Sequence, residues 1–348
     1  MSTPFPAERW DTLQVVVRDY RQVVLNFARF FGIARWEVRR VDGCRLRDHR
    51  VAGQPAACRW ISVTGRNAAF GIELVQPIDG PTPYQRMLDT VGEGMHGLAF
   101  MVADRAGAQR WLDGLAGEGG GACQHGSLAQ DWDYYMLDTR ALLAGISLEL
   151  RVPHSTAVSA PDEVLQVDLC RFGPALLPVQ KLYHLGVVCA DRHRTKATLQ
   201  RLFGIESWIE LEIESGRTIS DTTYYGREVY HAYDNHVGRR GGISFELITP
   251  RTADNVYDDF LKQRGEGMQH VFPTICTREE SDRALAQLRP LGIDIIQSGN
   301  IGGLLEYYYL DTRRYLPGIT TEVVVPLRED WREMLFPDPA AVWTLMGD

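Results

Sequence analysis

His270 lies in the segment Gly265–Pro273, which reads GEGMQHVFP. An imidazole in an apolar run is either a hydrogen-bonded core residue or a metal ligand. What singles this one out is a near copy of the segment earlier in the chain, GEGMHGLA at Gly92–Ala99. The shared GEGM opening aligns the two without a gap, and Gly97 then stands where His270 does. One copy can bind a metal at that position and the other cannot. Glu246 and Glu322 show the opposite pattern. Both sit in apolar runs, where an unpaired carboxylate is costly, and both have counterparts, Glu73 and Glu149, in the earlier half.

These positions belong to a repeat that fills the chain. TLQVVVRD, after Trp10, reads as a strand. Tyr20–Phe31 spaces its apolar residues at helical intervals and stops at Gly32, a C-cap residue. Strand-like runs follow at Trp36–Val41, Arg59–Val63 and Phe70–Val75. After a connection punctuated by Pro and Gly, the order recurs: MHGLAFMV, a helix from Asp104 to Leu115, and strands near Ala122, Tyr134 and Ile146. Gly119–Gly121 is a turn rather than a phosphate loop, because no Lys-Ser/Thr pair follows it. His154–Lys181 reads as a linker, with a short strand at Val164–Leu169. From Leu182 the programme restarts. Val187, Val188, Asp191, Phe203 and Trp208 repeat Val15, Val16, Asp19, Phe31 and Trp36 at one constant spacing. After a single inserted residue, Glu246, Pro250, YYLDT at Tyr308–Thr312 and Glu322 repeat Glu73, Pro77, YMLDT at Tyr135–Thr139 and Glu149. The prediction is an α+β fold of four strand-helix-strand-strand-strand modules, two in residues 10–153 and two in residues 182–326. Residues 154–181 are the linker, and 327–348 a tail with a short helix around Glu329–Leu335. One module leaves a sheet face uncovered, so each must pair with another.

Composition narrows the function. A chain of 348 residues that is 45% hydrophobic and 24% charged reads as globular. Its formal charge of −8 argues against a nucleic-acid or anionic-membrane partner. No stretch approaches the ~20 apolar residues of a membrane span, and no basic start and apolar run marks a signal peptide. Cytoplasm is therefore the expected address. The six cysteines are scattered without a CxxC pair, which argues against a zinc ribbon or a disulfide scaffold.

Four motifs, YHLGVV at Tyr183, SFELITP at Ser244, GMQHVFP at Gly267 and GITTEVVVP at Gly318, make the chain resemble the vicinal oxygen chelate superfamily. Glyoxalase I, methylmalonyl-CoA epimerase and the extradiol dioxygenases belong to it. The resemblance covers both halves and omits linker and tail. It implies two pseudo-repeated, partly open β-barrel-like domains with helices outside. It also implies a metal held by one residue from the first and one from the last strand of each of two paired modules. In the second half these are His184, Glu246, His270 and Glu322; in the first, Thr12, Glu73, Gly97 and Glu149, a set with no imidazole. Gln14 and His96 lie nearby, but the GEGM register sets His96 against Gln269, and a one-residue shift in a strand turns a side chain to the other face. The first half is thus expected to be metal-free. All four second-half ligands meet only if the third module packs with the fourth.

Two imidazoles and two carboxylates suit one divalent ion among Fe, Mn, Co, Ni and Zn. Such an ion lowers the pKa of a C–H beside a carbonyl, with Glu322 or Glu246 as the catalytic base. The expected enzyme is an isomerase, epimerase or lyase acting on a small molecule that chelates through neighbouring oxygens. An alternative uses His184, His270 and Glu322 alone as the triad of an Fe(II) ring-cleaving dioxygenase; Glu246 counts against it. Another is a metal-free binding or resistance protein. Tyr225, Tyr233 and Tyr308 are expected to line the substrate pocket, and His231 and His236 to lie at the surface. Arg239, Arg240, Arg313 and Arg314 either anchor a carboxylate or phosphate or are solvated. A homodimer is left open. Metal analysis is expected to give one divalent ion per chain, lost in His270→Ala; equal content in both proteins would overturn the assignment.

Overall fold

The structure, a computed structural model, describes residues 10–118, 120–128, 131–155, 159–177, 179–336, 340 and 344. The first half runs β1 (Trp10–Val16), α1 (Tyr20–Phe31), β2 (Arg35–Asp42), β3 (Arg47–Val51), β4 (Gln54–Pro55), β5 (Arg59–Arg66), β6 (Gly71–Asp79), α2 (Pro83–Thr90), β7 (Gly94–Met101), α3 (Arg105–Ala116), β8 (Ala122–Leu128), β9 (Trp132–Leu137) and β10 (Ser147–Pro153), followed by β11 (Glu163–Gln166). The second runs β12 (His184–Val188), α4 (Arg192–Phe203), β13 (Trp208–Glu214), β14 (Ile219–Tyr224), β15 (Arg227–Glu228), β16 (Ala232–Arg240), β17 (Ile243–Pro250), α5 (Val256–Arg264), β18 (Gly267–Ile275), α6 (Arg278–Leu288), β19 (Ile295–Ile301), β20 (Leu305–Leu310), β21 (Thr320–Pro326) and α7 (Trp331–Leu335). The fold is α+β, with two curled half-barrel sheets of eleven and ten strands.

Helix ends follow local chemistry. Asp19 and Asp191 cap α1 and α4 by accepting backbone N–H bonds, and Gly32 and Gly204 end them in the left-handed conformation. Two features depart from the simple module. The hairpins β3–β4 and β14–β15 are inserted, and β3 and β14 pair across to the next module, on β8 and β19. Helices α2 and α5 precede the second and fourth modules. Thr82 caps α2 and Pro83 occupies its first turn, so the Pro-rich connection is a helix start. The expected linker strand is β11, antiparallel to β2. The expected glycine turn and tail are described only in part.

Modules pair in sequence order. β1 is antiparallel to β7 at the centre of one sheet, and β12 to β18 at the centre of the other. The third module thus packs with the fourth. Alternation along each strand then divides the core. Leu13 and Val15 of β1, Leu185 and Val187 of β12, Phe27 of α1 and Phe203 of α4 belong to one apolar core common to both halves. Phe100 and Phe203 meet across it, ring centroids 5.7 Å apart. Each sheet also encloses its own inner core, Val16, Trp60, Tyr84 and Met136 in the first and Val188, Tyr233, Tyr257 and Tyr309 in the second. Among the described residues no helix is long and apolar enough to cross a membrane.

A matched pair of contacts reports on the repeat. Trp36 donates its indole N–H to Ile33 O at 3.0 Å and Trp208 to Ile205 O at 2.9 Å. Each ring lies over a glycine, Gly65 or Gly238, where a Cβ would come within 2.5 or 2.6 Å of it. Trp36 is fully buried and Trp208 is not. Gly65→Ala is therefore expected to cost about 1–3 kcal/mol by overpacking, and Gly238→Ala less, as measured by denaturant unfolding.

Candidate metal centre

The four positions named from the motifs converge in the inner core of the second sheet. His184 begins β12, Glu246 lies on the parallel neighbour β17, His270 on the antiparallel neighbour β18, and Glu322 on β21. All four are buried, and one potential ligand atom from each lies within 4.8 Å of all the others. His184 Nε2 is 3.2 Å from His270 Nε2, 3.3 Å from Glu246 Oε2 and 3.0 Å from Glu322 Oε2. His270 Nε2 is 3.2 Å from Glu246 Oε2 and 3.4 Å from Glu322 Oε2.

These edges fit a divalent ion. At metal–ligand distances of about 2.1 Å, neighbouring ligand atoms stand about 3.0 Å apart at right angles and about 3.4 Å apart in a tetrahedron. Glu246 Oε2 is buried without a hydrogen-bond partner among the described residues, as expected of an atom meant for an ion. Without an ion the cluster neutralises itself. Burial alone would lower the His184 pKa, but Glu246 and Glu322 hold it up at about 9, and they raise His270 as well. Burial opposes ionisation of both glutamates, yet the imidazoles keep each below the usual carboxylate range.

Three supporting contacts were not read from the sequence. Asn235 Nδ2 donates to Glu246 Oε1 at 2.7 Å and fixes that carboxylate. Gln269 Nε2 donates to Thr320 Oγ1 at 3.1 Å, which turns Gln269 Oε1 toward His270 Nδ1 at 2.7 Å. The proton of His270 then sits on Nδ1, leaving the Nε2 lone pair for the centre. Gln269 can do this because β18 bulges there: Gly186 pairs with His270 but Val187 with Met268. Gly186 is itself required, since a Cβ on it would lie 1.8 Å from the His270 ring.

The expected pocket tyrosines are divided by strand alternation. Tyr309 pairs directly with Glu322 and so shares its inward face; its ring centroid lies 5.0 Å from that of His270, and Tyr257 Oη donates to its hydroxyl at 2.7 Å. Tyr308, one residue away, faces outward against the common core and accepts from Arg278 Nη1 at 2.6 Å. Tyr225 follows β14, is 52% exposed and accepts from Arg313. Tyr233 is buried in the inner core, edge-on to Tyr257 at 4.7 Å. The structure thus places Tyr233 near the centre, places Tyr225 and Tyr308 away from it, and adds Tyr257 and Tyr309. His231 and His236 are not surface residues. His231 is fully buried 3.2 Å from Tyr307 Oη, and His236 is buried on β16, the strand between β13 and β17, beside Arg192. Arg239 is likewise buried, donating to the Tyr183 carbonyl.

The first half uses its carboxylates differently. Gln14 takes the place of Gly186, opposite Gly97 in the place of His270, so the long side chain comes from the other strand. Its Nε2 donates to Glu73 Oε2 at 3.1 Å and to Glu149 Oε2 at 2.9 Å. Arg151 reaches between the same carboxylates, bonding Glu73 and, at 2.6 Å, Glu149 Oε1. Thr12 is buried with its hydroxyl unpartnered among the described residues, and His96, at the matching bulge, packs on Tyr84. Burial opposes the charge on Glu73, but Arg151 holds its pKa below the usual range; burial together with the Glu73 charge pushes Glu149 up.

Comparisons with known proteins agree with the motifs. Residues 183–308 match the profile of the Glyoxalase/Bleomycin resistance protein/Dioxygenase superfamily, so the resemblance holds in the half that carries the centre. A search of curated proteins found no match. Among solved structures, a mutant 4-hydroxymandelate synthase from Streptomyces coelicolor aligns at TM-score 0.57 and 18% identity, over 92% of this chain and 93% of that one; the two share a fold. BphC, a halotolerant catechol dioxygenase, aligns at 0.43 and 13% identity over 93% and 90% of the two chains. The Mn(II)-bound glyoxalase from Novosphingobium aromaticivorans aligns at 0.43 and 12% over 92% and 83%.

Arg151→Met tests the electrostatic account of the first half. It leaves two buried carboxylates without a cation, and is expected to cost about 3–5 kcal/mol at neutral pH. In the parent, the depressed Glu73 pKa gives stability present above the unfolded value and lost as pH falls through the folded one. In the variant both carboxyls are raised, so stability is lost as pH rises. The gap between the two proteins in unfolding free energy should therefore narrow as pH is lowered from neutral toward 5.

Proposed function

We propose that the protein is a metal-dependent enzyme that moves a proton next to a carbonyl in a small organic substrate, an isomerase, epimerase or lyase step. The observation that carries this is the inward placement of Glu246 Oε2, 3.3 and 3.2 Å from the two imidazole Nε2 atoms. A ring-cleaving dioxygenase needs only the two imidazoles and one carboxylate, with room left for oxygen; a fourth donor leaves less. The ligands are His184, Glu246, His270 and Glu322. A divalent ion held by them supplies Lewis acidity that polarises the substrate carbonyl and acidifies the neighbouring C–H.

The chain's own residues divide the remaining work. Glu246 is anchored through Oε1 by Asn235 and stays in place. Among the described residues nothing bonds Glu322 Oε1, while Oε2 lies 3.0 Å from His184, so Glu322 is the freer carboxylate and the proposed base. Tyr309 and Tyr257 form a phenolic wall beside His270 that excludes water on that side. The first half, with Arg151 between Glu73 and Glu149, carries no metal on this reading and acts as scaffold.

The superfamily description also includes dioxygenases, and this is the second reading. The two separate cleanly. Metal-loaded protein is incubated in D2O with a panel of 2-oxo and 2-hydroxy acyl compounds, and with catechols under a known oxygen concentration. Deuterium incorporation without oxygen uptake, slowed about 10²–10⁴-fold in Glu322→Gln, is the expected outcome. Stoichiometric oxygen consumption with a catechol would overturn the proton-transfer assignment.

A further inference from the structure

A cavity of about 490 Å³ lies between the two halves, bordered by Val91 and Glu93 of the first and by residues of α5, β18, β21 and the loop before β21 in the second. Three guanidinium side chains border it, Arg264, Arg313 and Arg314, in a chain whose formal net charge is −8. Arg264 is half-buried at the end of α5. It donates Nη2 to the Glu93 carbonyl at 2.7 Å, and no carboxylate among the described residues pairs with it. Arg313 is held by Asp311 through two bonds of 2.7 and 2.8 Å, which fixes the direction of its charge. Arg314 is exposed. The one acidic residue on the border, Glu93, accepts from the Arg18 backbone N–H at 2.6 Å. Phe260 and Pro317 supply apolar wall, and Gln269 and Thr320 a polar floor.

We propose that this cavity binds a small organic anion, a carboxylate or phosphate ester with an apolar body. A half-buried guanidinium bonded only to a carbonyl keeps donors free for a planar or tetrahedral oxyanion. The volume suits a small ligand rather than a single ion, and the apolar wall favours an organic body over a bare inorganic ion. Burial and the nearby charge of Arg313 lower the Arg264 pKa, a repulsion that a bound anion would relieve. The cavity adjoins the proposed metal centre through its floor, where Gln269 also faces His270 Nδ1 at 2.7 Å, but the anion-binding reading rests on Arg264 and Arg313, for which no contact with a proposed ligand is found among the described residues.

Titration calorimetry on the full chain at low ionic strength, with phthalate, phenyl phosphate and inorganic phosphate as probes, tests this. At least one organic probe is expected to bind, more tightly than inorganic phosphate, and to weaken about tenfold or more in Arg264→Gln. Gln263 borders the cavity from an exposed position, so Gln263→Glu adds a repelling charge without disturbing the core and is expected to weaken the same probe. Phthalate against phenyl phosphate distinguishes carboxylate from phosphate ligands. Absence of binding by all three probes, or affinities unchanged in both variants, overturns the proposal. Inorganic phosphate binding as tightly as the organic probes overturns its organic character. If circular dichroism shows that Arg264→Gln does not fold, the Gln263→Glu comparison decides.

Discussion

A carboxylate buried in a sheet must be given positive charge, and this chain meets that requirement twice with different chemistry. Glu73 and Glu149 occupy the same places in one sheet as Glu246 and Glu322 in the other. In the first, Arg151 sits between them with Gln14 bridging. In the second, two imidazoles face them, with the spacing of a ligand polyhedron. An arginine fills its site permanently and cannot be exchanged or deprotonated. Imidazoles can give up protons to a metal. The repeat thus holds one electrostatic problem and two solutions.

The geometry that permits this is the central antiparallel pair of each sheet. In the second half one position on each of its two strands competes for the same interior space. Gly186 yields it to the His270 ring; in the first half Gln14 pairs with Gly97, where a Cβ would instead come within 2.4 Å of the Ser147 carbonyl oxygen on the neighbouring strand. The choice of strand decides whether an imidazole or an amide reaches the carboxylates. The bulge beside that position adds a second inward residue, Gln269, which sets the His270 tautomer. In the first half, which has no imidazole at these positions, Gln14 of β1 bonds both carboxylates.

The common core ties the two halves together. The convex faces of both sheets, with α1 and α4 between them, bury into one apolar mass that includes Phe27, Phe100, Phe203 and Phe245. Removing the first half would expose the back of β12, whose Leu185 and Val187 lie in that mass while His184 faces the centre. Rigidity at the centre rests on packing contributed from outside it. The same apposition creates the arginine-bordered cavity, which neither half forms alone.

The sequence by itself determined the repeat, the four modules, most strand and helix positions, and the four residues of the candidate centre. The repeat and the elements follow from periodicity, capping chemistry and the alignment of one half on the other, and the four residues from the motifs that resemble the vicinal oxygen chelate superfamily, all legible in one dimension. Tertiary structure decided the rest. Tyr308 and Tyr309 are adjacent and chemically alike, and only pairing with β21 shows that Tyr309 faces Glu322. His236 looks like a loop residue until β16 takes its place between β13 and β17, and His231, in the loop just before β16, is nevertheless fully buried against Tyr307. A register argument turns His96 and Gln269 away from the interior, but a bulge keeps Gln269 in reach of His270, and bulges leave no signature in composition. Arg151 and Asn235 gain their roles from partners that lie far away in the chain or on another strand. A linear pattern records which residues alternate; which face they alternate toward is set by strands that meet only in the folded sheet.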